Sequence, residues 1–431
     1  MGLTALLALA TSFAAAERLS LEQAVQTGIS RSSRLTGLKA AIKEAGGSRD
    51  RAQTALRPWA GLTGTATALD RTLDASLGPV HVVGANQWQS RLSLDANIAI
   101  DITGDLKGQV RLADLGIQAA TLRFLQGRAE LVRDVKTGYL QAVQTDELLG
   151  SARATFKNTL DRRDAVRQLF DQGVLTQFDV LRTDTEVADA QQKVTAAENR
   201  KRVGYANLAR LIESPVDELE GAPAVAAPEA NTGVSLAEEA LAHRAEIGLA
   251  RLQIRAEELG VRLAGASARP GLVAGVQAYA LSNPSTFEPQ NPLAAASLAL
   301  RIPLFDRGES RARRTEAQAR AEAARADLTT AEQGIRFQSV EAESRLLDAT
   351  ERIAVAEKAV RQAEEAYRIS LMRLKAGLTQ GAISPVIEVS DTETGLTQAR
   401  NNLINARTDR LLALVQIEYV RFGYQSPEGT K

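Results

Sequence analysis

One junction in this chain is written twice, and the repetition limits the folds available to it. In Leu298 to Arg314, LALRIPLFDRGESRARR, the residues Leu298, Leu300, Ile302 and Leu304 alternate with Ala299, Arg301 and Pro303. A period of two marks a strand. From Glu309 the alternation stops, and Ala, Arg and Glu run on with almost no glycine or proline until Gly377. Such a run of roughly 70 residues would make a helix of about 100 Å if unbroken. The same junction stands 204 residues earlier. There Leu92, Leu94, Ala96, Ile98, Ile100 and Ile102 alternate with Arg91, Ser93, Asp95, Asn97 and Asp101, and Gly104 opens a glycine-poor run to Gly173. Gly104 to Gly173 and Gly308 to Gly377 each span 69 residues. Upstream, Ser20-Leu21 is echoed by Ser235-Leu236, and Leu35 to Pro58 has the length of Ile247 to Pro270. The chain is two tandem copies of one unit.

The repeats set the organisation. Residues 1–16, MGLTALLALATSFAAA, read as the apolar region of a secretory signal with a cut before Glu17, although the usual positive n-region is missing. The first repeat takes 17–213, with a β-hairpin at 59–102 and a helical hairpin at 105–212. A linker at 214–234 carries Pro215, Pro223 and Pro228. The second repeat takes 235–424, with its hairpin at 271–304 and its helical hairpin at 307–421, and 425–431 is a tail. Within the first repeat, 19–56 reads as helix interrupted near Gly46-Gly47, and the stretch holding Gly78-Pro79 and Gly84 reads as a loop. The fold expected is mainly α, with two β-hairpins each followed by a long helical hairpin.

Each β-hairpin has one apolar and one polar face, about ten residues deep. Nothing else in the repeat is free to cover the apolar face, because the long helices carry their own seams. Ala342, Leu346, Ala349, Ile353, Ala356, Val360, Ala363, Tyr367 and Leu374 form one heptad seam. Val355, Ala359, Ala366 and Ile369 form a second beside it, as in a ring of helices. The strand pattern fits an outer-membrane barrel, with Trp88, Leu94, Ile98, Ile100, Leu298, Leu300, Ile302 and Leu304 turned to lipid and Trp88 at the headgroup level. Four strands cannot close, and hydrocarbon does not tolerate an open edge, so copies must associate. A symmetric ring is the natural solution.

Composition excludes several functions. Lys plus Arg and Asp plus Glu balance at 52 each, which argues against nucleic acid as the main partner. Aromatics at 4% are few for one thick core and suit helices packed through alanine. No cysteine means no disulfide and no thiol for a lipid anchor. The only histidines are His81, in a glycine-rich loop, and His243, on a charged helix, so no catalytic centre, metal or cofactor is expected. The rival readings are a periplasmic coiled-coil scaffold without a pore and a periplasmic adaptor; neither explains two β-hairpins with an apolar face.

The duplicated plan, the IPLFDRGESRARR junction and the two glycine-marked turns resemble the TolC family of outer-membrane efflux channels over essentially the whole mature chain. The resemblance implies a homotrimer, with a twelve-stranded outer-membrane barrel on a periplasmic α-helical barrel. The role it implies is that of the passive exit duct of a tripartite efflux or type I secretion system. It also implies that a periplasmic adaptor, or membrane fusion protein, docks at turns matching Gly173, Val174, Leu175 and Thr176, and Gly377, Leu378 and Thr379. An inner-membrane transporter of the RND or ABC type would supply the energy. Acidic residues matching Asp179, Glu388 and Asp391 would ring the periplasmic constriction. The second turn departs from the family by about five extra residues, Gly381 to Pro385, and by having no arginine soon after Gly377. The cargo is not legible.

Overall fold

The computed structural model describes residues 18–223, 235–282, 292–378 and 384–422. The expected leader at 1–16, the tail at 425–431, linker residues 224–234 and Thr379 lie outside the described residues. The chain divides into a sheet unit, Gly37–Phe124 with Glu246–Ala331, and a helical unit made of the rest. In chain order the first repeat holds α1 (Leu21–Arg31), α2 (Ser33–Thr54), β1 (Trp59–Ala68), β2 (Leu73–Leu77), β3 (Val80–Ala85), β4 (Trp88–Ile100), α3 (Asp105–Asp171) and α4 (Gln177–Ile212). The second holds α5 (Leu236–His243), α6 (Ala245–Leu263), β5 (Gly271–Ser282), β6 (Leu293–Arg301), α7 (Glu309–Lys375) and α8 (Pro385–Phe422).

In the sheet unit, β1, β4, β5 and β6 form one antiparallel sheet in the order β1-β4-β5-β6. The two hairpins therefore join through β4 and β5, one strand from each repeat. Both final strands stop earlier than the alternation does. β4 ends at Ile100 and β6 at Arg301, so Ile302 and Leu304, expected in the strand, lie beyond it, Leu304 being 95% exposed. Pro303 has no N–H to offer a ladder, which explains the stop in the second copy. The loop expected around Gly78-Pro79 is instead a small hairpin of β2 and β3, in which the Leu77 backbone pairs with Val80 and Gly78 turns with φ +64°.

The junctions from strand to helix are built alike. Gly104 and Gly308 hold φ +78° and +85°, a region that only glycine enters freely. Asp101 accepts hydrogen bonds from the backbone N–H of Leu106 and Lys107 at 3.2 and 3.0 Å, capping α3. Asp306 accepts from those of Gly308 and Ser310, both at 3.0 Å, capping α7. The bonds from Ser310 and Gly308 hold the Asp306 carboxyl down at about 2.

The expected interruption near Gly46-Gly47 is not there. The chain breaks at Ser32 instead, where the hydroxyl accepts from the Leu35 N–H at 3.2 Å and starts α2 afresh. α2 runs through both glycines, and the Arg49–Asp114 ion pair at 3.2 Å ties it to α3.

In the helical unit the side chains of Val135, Tyr139 and Leu140 of α3 and of Leu208 and Ile212 of α4 are almost wholly buried. The start of the linker is pinned there too. Leu19 pairs with Glu218 and Glu220 through its backbone, and the Tyr139 hydroxyl donates to the Leu19 carbonyl at 2.9 Å. In the α7 seam Ala342, Ala349, Ala356 and Leu374 are buried, whereas Val355 and Ile369 of the second seam are exposed in the single chain.

Candidate functional sites: the sheet face and the helical turns

Residues directly opposite in an antiparallel pair share a face. The register sets Leu62, Leu94, Ala278 and Ala294 in one row across all four strands, and Ile100, Leu272 and Leu300 in another. Ile98 lies in a third row with Ala274 and Leu298, and Trp88 lies opposite Ala68. This face is continuous and apolar, and Leu62, Leu94, Val276, Leu298, Leu300 and Trp88 are each more than half exposed. A leucine-sized side chain gains about 1.5–3 kcal/mol on full burial, so a face like this in water is strongly unfavourable. The opposite face carries a polar, hydrogen-bonded patch, with Val273, Ala299 and Leu293 on the same face. Asp95 accepts from the Gln277 amide at 2.8 Å and the Ser93 hydroxyl at 3.1 Å, and the Arg91 guanidinium lies 4.7 Å from the centre of the Tyr279 ring. The sheet has the polarity of a lipid-facing wall with a wet inner side.

In the helical unit the two long helices end in the same motif. The Val174 N–H donates to the Leu169 carbonyl and the Gly173 N–H to that of Phe170, both at 2.9 Å. The Leu378 N–H donates to Arg373 at 3.2 Å and the Gly377 N–H to Leu374 at 3.0 Å. With φ of +74° at Gly173 and +64° at Gly377, both are Schellman caps. Val166, Leu169, Leu175, Leu374, Val386 and Val389 pack the turns into one cluster. Leu175 is therefore core, while Val174 and Leu378 remain exposed. Phe178 and Leu181, one and two turns on, add exposed apolar surface that the sequence reading did not assign to docking.

The acidic residues separate. Asp179 is only 5% exposed. Thr176 caps α4 and forms a reciprocal capping box with it, donating its N–H at 3.0 Å and its hydroxyl at 2.7 Å to the carboxylate. The other carboxylate oxygen accepts from the Ser384 hydroxyl at 3.0 Å, at the start of α8. Burial pushes this carboxyl up, but the bonds from Thr176 and Ser384, with Arg182 nearby, hold it below the ordinary range. A carboxylate enclosed inside one protomer is not presented to a lumen, so the placement of Asp179 on the constriction is corrected: it is a cap and a tie between the turns. Glu388 is partly exposed and accepts from Arg373 at 2.8 Å, and Asp391 is exposed.

Above the turns lies a buried charge group that no spacing announced. Arg162, 3% exposed, binds Glu393 through one nitrogen and Glu186 through the other, the latter at 2.6 Å. Glu186 also takes Arg182 at 3.1 Å and the Ser390 hydroxyl at 2.9 Å. Burial pushes the Glu393 carboxyl up, against the pull of Arg162. Further along, α3 and α8 meet through polar pairs, Thr155 with Thr397, Ser151 with Asn401 and Gln144 with Asn405, each at 2.9 Å. Among the described residues no cluster of three or more His, Cys, Asp or Glu is placed to hold a metal, and no helix is long and apolar enough to cross a membrane.

A sheet apolar on one face and helical hairpins reversing at matched turns define a membrane channel component of the outer-membrane type. The model of the outer membrane efflux protein family matches residues 24–213 and 236–420, and the chain belongs to that family. It is 26% identical over 354 residues to the pyoverdine export outer membrane protein OpmQ of Pseudomonas putida, covering 79% of this chain and 73% of the relative. Its fold is that of the outer membrane protein VceC of Vibrio cholerae, with a TM-score of 0.78 at 18% identity over 93% of this chain and 96% of that one. CusC gives a TM-score of 0.81 at 14% identity over 93% and 91% of the two chains. The protein is thus an outer-membrane exit duct of TolC type, and the scaffold and adaptor readings fall away.

Proposed function

We propose that three copies, each supplying four strands, close a twelve-stranded barrel in the outer membrane, with α3, α4, α7 and α8 of each lining a periplasmic tunnel. One observation carries this reading. The sheet has an exposed apolar face, and β1 and β6 each have a neighbour on one side only among the described residues. Lipid satisfies the face and a neighbouring copy satisfies the edges. The exposed second seam of α7, with Val355 and Ile369, is the helical counterpart that a neighbour would cover.

In this reading a periplasmic adaptor docks on Gly173 to Thr176 and Gly377 to Thr379, with Val174, Leu378, Phe178 and Leu181 as apolar contacts. An inner-membrane transporter of the RND or ABC type supplies the energy. Three copies of Glu388 and Asp391 around one axis form the constriction, where mutual repulsion favours bound cations. The Arg373–Glu388 pair supports a latch across the second turn. The segment 1–16 is removed on export, and 17–213 and 235–424 act as equivalent halves about the linker at 214–234. The OpmQ relatives are named for pyoverdine export, and small-molecule efflux is the service proposed here.

The test is the size and conductance of the detergent-solubilised protein. Three copies per particle and ion current in planar bilayers are expected, and Ile98→Arg or Leu300→Arg should abolish insertion. A water-soluble monomer without detergent would overturn the reading.

A further inference from the structure

The chain has two tryptophans, and the sheet sends them to opposite faces. Trp88 has the parity of Leu92 and Leu94 on the apolar face, where a tryptophan at the end of a membrane strand belongs. Trp59 has the other parity. It stands directly opposite Asn97, and its neighbour Gly61 stands opposite Asp95, so both lie on the polar face. The indole folds back along its own strand: a Cβ on Gly61 would fall 2.6 Å from Trp59 Cζ2. A side chain at position 61 would displace the ring. Even so, Trp59 is 55% exposed, on a face where an aromatic ring gains nothing from water.

The same face shows what such a ring attracts. Arg91 lies over Tyr279 at 4.7 Å, so that ring already holds a cation of the chain. Among the described residues no cation lies over Trp59. The residue across from its seat is the Asp95 carboxylate, fixed by Ser93 and Gln277.

We propose that Trp59, held on Gly61 beside Asp95, is a contact point for passing cargo and selects organic cations that carry an aromatic ring. The inference rests on the barrel reading above, in which the polar face turns to the lumen. Three copies would then present three such rings to the lumen.

The experiment is block of ion current through the full-length protein in planar bilayers by N-methylquinolinium, with neutral quinoline and anionic 2-naphthalenesulfonate as controls at pH 7. N-methylquinolinium should reach half-block at a concentration about tenfold lower than either control. Trp59→Ala should remove that preference and Trp59→Phe should keep part of it. Gly61→Val, which leaves the tryptophan in place but unseats it, should resemble Trp59→Ala. Asp95→Asn should reduce the preference about threefold. Equal block by all three compounds, or an unchanged preference in Trp59→Ala, overturns the proposal while leaving the barrel intact. No current at all from the wild-type protein overturns the barrel reading and this one with it.

Discussion

The turns at Gly173 and Gly377 share their backbone and differ in how the next helix begins. Both close with the same pair of hydrogen bonds around a glycine at positive φ. After the first, Thr176 and Asp179 cap α4 with each other. After the second, Pro385 opens α8 behind Ser384, whose hydroxyl accepts from the Val386 N–H at 3.3 Å and donates to Asp179 of the first turn. Duplication kept the glycine geometry and let the caps diverge until one turn leans on the other. Among the described residues, the first turn caps its own helix and the Ser384 hydroxyl ties the second to it.

Seven substitutions break or sharpen that contrast. The largest effect is expected from Arg162→Ala, which leaves Glu393 and Glu186 facing each other without their shared cation. Losing one partner of a buried ion pair costs about 3–5 kcal/mol, readable as a lowered unfolding midpoint in detergent. Asp179→Ala removes the capping box and the tie to Ser384 together and should cost about 2 kcal/mol. Ser384→Ala should cost less than half as much, since the first turn keeps its own cap. The Asp179 pKa is lowered, so its stabilisation is full above the unfolded value near 3.8 and is lost as pH falls through the folded value. Asp179→Asn should flatten acid unfolding in that window. Gly173→Ala and Gly377→Ala should each cost about 1–2 kcal/mol through the left-handed backbone alone. The added methyl meets nothing at 173 and makes an ordinary 3.6 Å contact with Val174 at 377, so unequal costs would show that the turns differ in backbone after all. The smallest effect belongs to Glu388→Gln. Its pair with Arg373 is part-exposed and worth about 0–1 kcal/mol, so stability should hardly move while single-channel current rises if the pair acts as a latch.

Much of this was open to reading without coordinates. Period two in Leu92 to Ile100 and Leu298 to Leu300 marks residues that the sheet puts on one face, because alternation is a local property of the extended chain. The glycines at 104, 173, 308 and 377 are equally legible, since each sits where only that residue enters freely. The misreadings have local causes as well. Gly46-Gly47 looks like a break, but the cost of a glycine in a helix, about 1 kcal/mol, is small beside the rest of α2, whereas Ser32 offers a cap. Arg162, Glu186 and Glu393 could not be grouped, because on a helix each looks like any solvated charge. Only long-range packing brings them together. Asp179 misled for the same reason.

One further consequence lies in the number of strands. Four is even, so β1 and β6 run in opposite directions, and in the proposed barrel one copy's β6 would meet the next copy's β1 with the alternation unbroken. β4 and β6 run the same way, so α3 and α7 both depart from one end of the sheet. Joining like edges about a dyad would send those helices out of opposite sides of the bilayer. Head-to-tail addition would not, and any whole number of copies would preserve the pattern, so in the proposed barrel the curvature of the wall, rather than the pairing rule, would set how many complete the circle.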